Sequence, residues 1–191
     1  MIKGIIMSAD SVRAIREGRK TQTRRVIKPP RGPFLWDFSR AWVDPGVGGG
    51  PYLKVPFCHE SDGWQDDPDE DTVQRIRSPH QPGDVLYVKE TWAGQTGRPL
   101  SQGHLFYRAD GDDTGKQLPL SYVERESRWR SPLHMPRWAA REWLRVTEVR
   151  AQRVQDIGEE DARTEVLFVP GVANPWVWSY TFERIEKPED E

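Results

Sequence analysis

A lysine and a threonine three residues apart lie in the most basic stretch of the sequence, residues 18–25. A threonine hydroxyl attacks a carbonyl carbon only after a base takes its proton. A lysine amine can be that base when it is buried or stands near another cation, and three arginines in the same stretch supply such cations. Lys20 and Thr23 are therefore candidates for a catalytic base and a nucleophile.

The spacing of these two residues restricts their geometry. In a regular strand, positions 20 and 23 point to opposite faces, so Lys20 must lie in the turn before the strand, or a bulge must intervene. The same residues also fit a simpler hypothesis, in which Lys20 and the arginines form a solvated or phosphate-binding cluster and Thr23 is an ordinary strand residue. The pattern alone leaves both hypotheses open.

Other catalytic signatures give weaker hypotheses. The sequence has no Walker-type phosphate loop, no G-x-G-x-x-G, no H-E-x-x-H and no G-x-S-x-G. Cys58 beside His59 suggests a thiol nucleophile, but the pair lies in an irregular segment. The four histidines are scattered in turn-like contexts and predict surface or hydrogen-bonded roles, so we expect no metal site.

Length and composition predict one domain, residues 1–191, with an irregular insertion at about 30–80 that is rich in proline and glycine. A single cysteine excludes an intramolecular disulfide and fits a reducing compartment. No apolar run approaches the roughly 18 residues of a membrane span, and no signal-peptide pattern is present. We expect a soluble cytoplasmic protein, in the host cytoplasm if it is phage-encoded.

Charge is distributed unevenly along the chain. The net charge is −2, but residues 1–40 carry ten Lys/Arg against three acidic residues, a local net charge of +7. Such a basic section suits phosphate or another anion, whereas the acidic stretch 60–71 reads as a solvated loop. Nine tryptophans are either core residues or rings that stack on a flat ligand.

Hydrophobic periodicity and turn residues predict an α+β chain that is mostly β. We expect a small, mostly antiparallel barrel with short helices at its rim. Helices are predicted at 8–17, which Gly18 ends, and at 156–166, with a short helical turn at 136–141. Strands are predicted at 1–7, 85–92, 105–110, 143–154 and 176–185, an extended stretch at 128–132, and short hairpins at 34–43 and 52–58.

The stretch 18–25, Gly-Arg-Lys-Thr-Gln-Thr-Arg-Arg, resembles the signature of the ASCH domain, a member of the PUA-like superfamily. Residues 82–88 resemble the family's Gly-Asp-x-Leu strand, and residues 156–162 resemble the helix that follows. The layout is similar to a subgroup common in phages and prophages. Its further blocks are Glu90-Thr91-Trp92, His134-Met135-Pro136-Arg137 and Asn174-Pro175-Trp176-Val177-Trp178.

Characterised relatives in this family include the small bacterial N4-acetylcytidine amidohydrolases, which use a threonine nucleophile, a lysine base and a glutamate on the later helix. The resemblance implies a PUA-like β-barrel and a site made of Thr23, Lys20 and Glu165, acting on an acylated cytosine base or nucleoside without a metal or an organic cofactor. It also implies a set of substrate-binding residues: Arg24, Arg25, Glu90, Trp92 and Trp178.

Two departures from the family pattern concern the substrate. Only residues 166–173 separate the later helix from the Asn-Pro-Trp block, and the insertion at 30–80 is lacking in the small amidohydrolases. Two other functions suit the same residues. One is an RNA-binding module that combines phosphate contacts with base stacking, and the other is a ribonuclease whose cations stabilise a phosphorane.

Overall fold

The computed structural model describes residues 1–31, 34–45, 51–59, 70–94, 105–111, 129–156 and 174–189. This part of the chain contains one α-helix, α1 (Ala9–Arg16). Its strands are β1 (Ile2–Ile6), β2 (Gln22–Val26), β3 (Phe34–Trp36), β4 (Trp42–Asp44), β5 (Tyr52–His59), β6 (Val73–Arg77), β7 (Val85–Lys89), β8 (Trp92–Gly94), β9 (Leu105–Tyr107), β10 (Trp143–Arg153) and β11 (Trp176–Ile185). Short 3-10 helices cover Glu70–Thr72, Arg108–Asp110, Pro132–His134, Arg137–Ala139 and Val154–Asp156.

Five strands are hydrogen-bonded in the order β1-β7-β10-β11-β2. β1 runs parallel to β7, whereas β10 is antiparallel to β7 and β11 is antiparallel to β2. No pairing among the described strands closes this sheet into the barrel that the sequence predicted. The coarser prediction, an α+β chain that is mostly β, is confirmed.

Capping interactions define both ends of α1, as predicted for residues 8–17. The Ser8 hydroxyl accepts a hydrogen bond from an amide of the first turn. At the other end Gly18 has a φ of +72°, and its amide donates to the Ile15 carbonyl. The amides of the next two residues donate to the Ala14 carbonyl. This Schellman arrangement turns the chain from the helix towards β2.

Strands from the predicted insertion, β3 to β6, form a second sheet centred on β5. β3 pairs with the C-terminal end of β5, whereas β4 and β6 pair with its N-terminal part, all antiparallel. Because β3 and β4 both run antiparallel to β5, they run in the same direction as each other. The hairpin predicted at 34–43 is therefore wrong, and residues 52–58 are one strand instead of a hairpin.

Contacts divide the chain into two compact units. The first unit comprises Met1–Thr21, Gly83–Arg145 and Phe182–Glu191, and the second comprises Gln22–Pro82 and Val146–Thr181. The prediction of one domain with an insertion stays a prediction.

Large apolar side chains form a core in each unit. In the first unit Trp92, Trp143 and Met135 are buried together, and Ala139 and Ala140 pack against them. In the second unit, the fully buried apolar residues include Leu53, Val55, Val146 and Val177. Burial of these side chains supplies most of the stabilisation of each unit.

Several predicted elements are shorter than the sequence suggested. β1 is an edge strand, half-buried instead of buried, with Ile2 and Ile6 exposed. The strand predicted at 105–110 ends at Tyr107 and continues as a 3-10 turn. Residues 136–141 contain one 3-10 turn, Arg137–Ala139, with Pro136 at its start.

Substituting Gly18 by alanine should destabilise the protein by about 1–2 kcal/mol, because a Cβ disfavours the left-handed backbone at this residue. Urea unfolding at neutral pH measures the difference. Gly111→Ala is the matched control, since Gly111 has a φ of −79°, which any residue adopts. Equal stability of the two variants would contradict the role of Gly18.

Candidate active site around Thr23

The pairing of β2 with β11 aligns Thr23 with Tyr180 and Arg25 with Trp178. Directly opposed residues of an antiparallel pair lie on the same face, and so do residues two positions apart on one strand. The four side chains therefore share one face within the second unit. Thr23, Arg25 and Trp178 were predicted as site residues from the sequence, and this register brings them together.

The hydroxyl of Thr23 lies beside a guanidinium group. Thr23 is fully buried (0% exposed), and its Oγ1 accepts a hydrogen bond from Nη1 of Arg25 at 3.0 Å. The same nitrogen donates to the Arg24 carbonyl at 2.9 Å. A hydrogen bond from a charged donor favours negative charge on the acceptor. The arrangement therefore suits a hydroxyl that loses its proton.

Tyr180 adds a second hydroxyl to this face and is hydrogen-bonded to Ser78. The two hydroxyl oxygens are 3.0 Å apart. Ser78 donates its own proton to the His80 carbonyl at 2.7 Å, so Tyr180 is the donor towards Ser78. Burial raises the pKa of Tyr180 to about 12, although the Ser78 hydrogen bond and the Arg25 charge act in the opposite direction. Tyr180 is therefore a neutral donor at physiological pH.

Arg24 points away from this face. Because it lies between Thr23 and Arg25 on β2, its side chain is on the other side of the sheet. It is buried (3% exposed), and its Nη2 donates to Oε1 of Gln22 at 3.1 Å. The two arginines that the sequence grouped as substrate-binding residues therefore lie on opposite faces.

Lys20 lies in the turn before β2, which is one of the two geometries that its spacing from Thr23 allowed. Its amide donates to the Ala14 carbonyl at 3.0 Å, and its side chain is buried (4% exposed). Burial of a lysine is uncommon and marks it as a candidate for function. Lys20 belongs to the first unit and Thr23 to the second.

Glu165, the third residue of the predicted site, lies outside the described residues. Residues 157–166 of the helix predicted at 156–166 also lie outside the described residues. Asp156 is the last residue of a 3-10 turn. The role of Glu165 stays a prediction.

Glu90, predicted to bind substrate, forms a buried ion pair with Arg141. Nε of Arg141 lies 2.8 Å from Oε1 of Glu90, and Nη2 lies 3.0 Å from Oε2. Nη1 of Arg141 donates to both carboxylate oxygens of Asp110, at 2.6 and 2.8 Å. The guanidinium lies 3.9 Å from the ring centroid of Tyr107. Sequence reasoning missed Arg141 and Asp110, since no motif marks them.

The surroundings of this network shift the pKa values of its two carboxylates in opposite directions. Burial raises the pKa of Glu90 above its ordinary value, although the hydrogen bonds from Arg141 lower it. Burial also acts to raise the pKa of Asp110, but hydrogen bonds and charge from Arg141 and Arg16 hold it below its ordinary value. Through these ion pairs the network connects the end of α1 to the segments after β7 and β9.

Trp92, also predicted to bind substrate, is a core residue of the first unit. It packs against Met135 and Trp143, and the guanidinium of Arg130 lies 5.0 Å from its ring centroid. Its indole nitrogen is buried, and it has no hydrogen-bond partner among the described residues. The structure places Trp92 and Glu90 in a different unit from Thr23.

The thiol hypothesis finds no support from geometry. Cys58 is a buried free cysteine, whereas His59 is exposed. The two are consecutive residues of β5, so their side chains point to opposite faces. Among the described residues, no group of three or more His, Cys, Asp or Glu side chains could hold a metal ion.

Tyrosine titration provides a test of the Tyr180 environment. The ordinary tyrosine pKa is 10.0, so the unfolded state loses this proton first, and stability falls as pH rises from 10 to 12. The free energy of unfolding should fall by roughly 2–3 kcal/mol over this pH range. Tyr180→Phe should lose correspondingly less over the same pH range, as measured by urea unfolding. Tyr87→Phe is the control, and an equal alkaline loss in all three proteins would exclude the effect.

Removing the guanidinium of Arg141 should lower the free energy of unfolding. Arg141→Met leaves two carboxylates without this partner, and we expect a loss of about 3–5 kcal/mol. The loss should grow from pH 5 to pH 8, because an unpaired buried Glu90 is destabilising only when ionised. Arg145→Met, which removes an exposed pair with Glu183 at 3.3 Å, should cost under about 1 kcal/mol. Similar losses for both variants in thermal unfolding would argue against the network.

Comparison with known proteins gives no match to a family model, to a curated protein or to a solved structure. In the part of the chain that the structure describes, no helix is long and apolar enough to cross a membrane. The functional interpretation therefore depends on the geometry around Thr23 and on the motif of residues 18–25.

Proposed function

We propose that this chain is a PUA-like ASCH hydrolase that removes an acyl group from N4 of a cytosine base or nucleoside, with Thr23 as its nucleophile. The observation that carries the proposal is the hydrogen bond from Arg25 to the hydroxyl of the fully buried Thr23. The resemblance of residues 18–25 to the family signature adds Lys20 as the base and Glu165 as the residue that orients or protonates.

The direction of this hydrogen bond matters for the chemistry. Oγ1 of Thr23 accepts from Arg25, so the hydroxyl proton of Thr23 is not used in this hydrogen bond. As that proton leaves, the nearby guanidinium stabilises the negative charge on Oγ1. The same hydrogen bond also satisfies a buried hydroxyl with a purely structural role, so the activity of Thr23 variants distinguishes the two roles.

The reaction that follows from these roles has two stages. In the roles that the family signature implies, Oγ1 attacks the acyl carbonyl carbon and Lys20 takes the hydroxyl proton. The bond from that carbon to N4 then breaks, and Lys20 returns the proton to N4, which leaves as the amino group of cytosine. Water hydrolyses the acyl-threonine ester, which releases a carboxylic acid and restores the hydroxyl.

A non-catalytic RNA-binding module is the second candidate. The local charge of +7 in residues 1–40 favours phosphate contacts. In that function Arg25 would contact a phosphate, and the loss of the Thr23 hydroxyl would leave binding unchanged. The two functions therefore predict different effects of one substitution. A ribonuclease, the third function suited to these residues, would instead cleave the RNA chain.

Purified protein should release cytidine and acetate from N4-acetylcytidine, as followed by liquid chromatography. Thr23→Val keeps the shape of the side chain but removes the nucleophile, so kcat/KM should fall at least about a thousandfold. Thr23→Ser should keep measurable activity. Arg25→Gln should lose roughly a hundredfold, because a charged donor to the oxygen is removed.

Thr147→Val is the matched control, since Thr147 is an exposed strand residue, and it should behave as the unsubstituted protein. Thermal unfolding of each variant shows whether it is folded. A folded Thr23→Val protein with full activity would exclude Thr23 as the nucleophile. No turnover by the unsubstituted protein, together with salt-sensitive RNA binding, would favour the second candidate.

A further inference from the structure

The hydroxyl of Thr23 is covered in this structure. Thr23 is 0% exposed, and so is Tyr180, which lies directly opposite it on β11. Attack on a carbonyl carbon requires the reacting atoms to come within about 3–3.5 Å of each other. A substrate of nucleoside size cannot reach a side chain that has no exposed surface. If Thr23 is the nucleophile of the proposed function, part of the chain must therefore move aside to admit the substrate.

One segment of the second unit lies over the face that carries Thr23. Ser78 and His80 come just after β6, and both contact the side chain of Tyr180. The hydroxyl oxygens of Ser78 and Tyr180 are 3.0 Å apart, and the His80 ring meets the Tyr180 ring edge-on, with centroids 5.1 Å apart. Since the Tyr180 side chain is on the same face as Thr23, residues 78–81 lie over that face. We refer to residues 78–81 as the strap.

The strap is a small loop built on Ser78. The Ser78 hydroxyl donates to the His80 carbonyl at 2.7 Å and accepts from the His80 amide at 3.3 Å. Nε2 of Gln81 donates to the Ser78 carbonyl at 2.8 Å. Pro79 and Pro82 have no amide hydrogen, so the backbone here cannot form a continuous ladder with a neighbouring strand. The strap can therefore move without breaking the pairing of two strands.

We infer that the strap is a gate over Thr23, held closed by the hydrogen bond between Tyr180 and Ser78. A hydrogen bond between two neutral hydroxyls contributes little net stability, so a loop held in this way opens far more often than the protein unfolds. The other route to Thr23 is to separate β2 from β11. That separation would break backbone hydrogen bonds and expose Val177, a fully buried residue. Opening the strap is therefore the less costly route to the Thr23 hydroxyl.

Thiol labelling measures this opening without any need for turnover. Thr23→Cys places a thiol at the position of the candidate nucleophile, and Cys58→Ser removes the single native thiol. In this background Ser78→Ala should accelerate alkylation by iodoacetamide roughly three- to tenfold, through loss of one hydrogen bond. Tyr180→Phe removes the other hydroxyl and should have a similar effect. Mass spectrometry of the intact protein follows the labelling.

Two further substitutions are matched controls. Ser39→Ala removes a serine hydroxyl of the same unit that is bonded to Asp37. Tyr107→Phe removes a tyrosine hydroxyl that donates to the Ala139 carbonyl at 2.7 Å. Both hydroxyls lie outside the strap, so neither substitution should change the labelling rate of the introduced thiol.

Urea distinguishes opening of the strap from unfolding. Moving a short loop exposes little surface, so labelling of the introduced thiol should hardly change with urea below the unfolding transition. In the chain that keeps Thr23, the buried native thiol of Cys58 is reached only through wider unfolding. We therefore expect Cys58 to be labelled at least about tenfold more slowly, at a rate that rises with urea.

Several results would overturn the inference. One is labelling of the introduced thiol that is as slow and as dependent on urea as that of Cys58, and another is a rate that neither Ser78→Ala nor Tyr180→Phe changes. If Thr23→Cys does not fold, hydrogen exchange decides instead: the strap amides should exchange faster in Tyr180→Phe than in the unsubstituted protein, and equal exchange would reject the gate. Fast labelling without hydrolysis of N4-acetylcytidine would support the gate and reject the hydrolase.

Discussion

The register between β2 and β11 determines which side chains meet at the candidate site. A slip of one residue would exchange Thr23 and Arg25 for the residues of the opposite face, including Arg24. Burial opposes such a slip, since Tyr180 and Val177 are fully buried on opposite faces of β11. The Ile27 amide also donates to the Trp176 carbonyl just past the paired segment. Packing around one strand pair thus positions the hydroxyl and its guanidinium.

Arg25 and Arg141 show two uses of arginine in this chain. Arg141 is surrounded by carboxylates and an aromatic ring, so its charge is balanced where it stands. Glu90 is therefore a structural partner of Arg141. Substrate binding by Glu90 stays a prediction. Arg25 instead directs a donor at a neutral hydroxyl, where added charge changes reactivity. A half-buried arginine is therefore informative only together with its acceptor.

The sequence predicted the local features of the fold better than its long-range pairings. Helix α1, its end at Gly18 and strands β10 and β11 follow from capping residues and alternation, which act over a few positions. The predicted barrel and the predicted hairpin at 34–43 are not observed among the described strands. The pairing of strands depends on contacts between distant segments, which the sequence pattern does not show. At the site, the motif indicated Thr23 and Arg25, whereas Ser78, Tyr180 and Arg141 carry no local signal. Only the contacts between distant segments reveal them.

The pairings of this chain differ widely in the length of chain that each one closes. Only residues 45–51 separate β4 from β5, and residues 60–72 separate β5 from β6, whereas the paired residues of β2 and β11 are more than 150 positions apart. Closing a longer loop costs more chain entropy, and it slows the formation of the contact. The sheet that carries Trp42 can therefore form before β11 has been synthesised. The face around Thr23 is completed only after β11 has been synthesised.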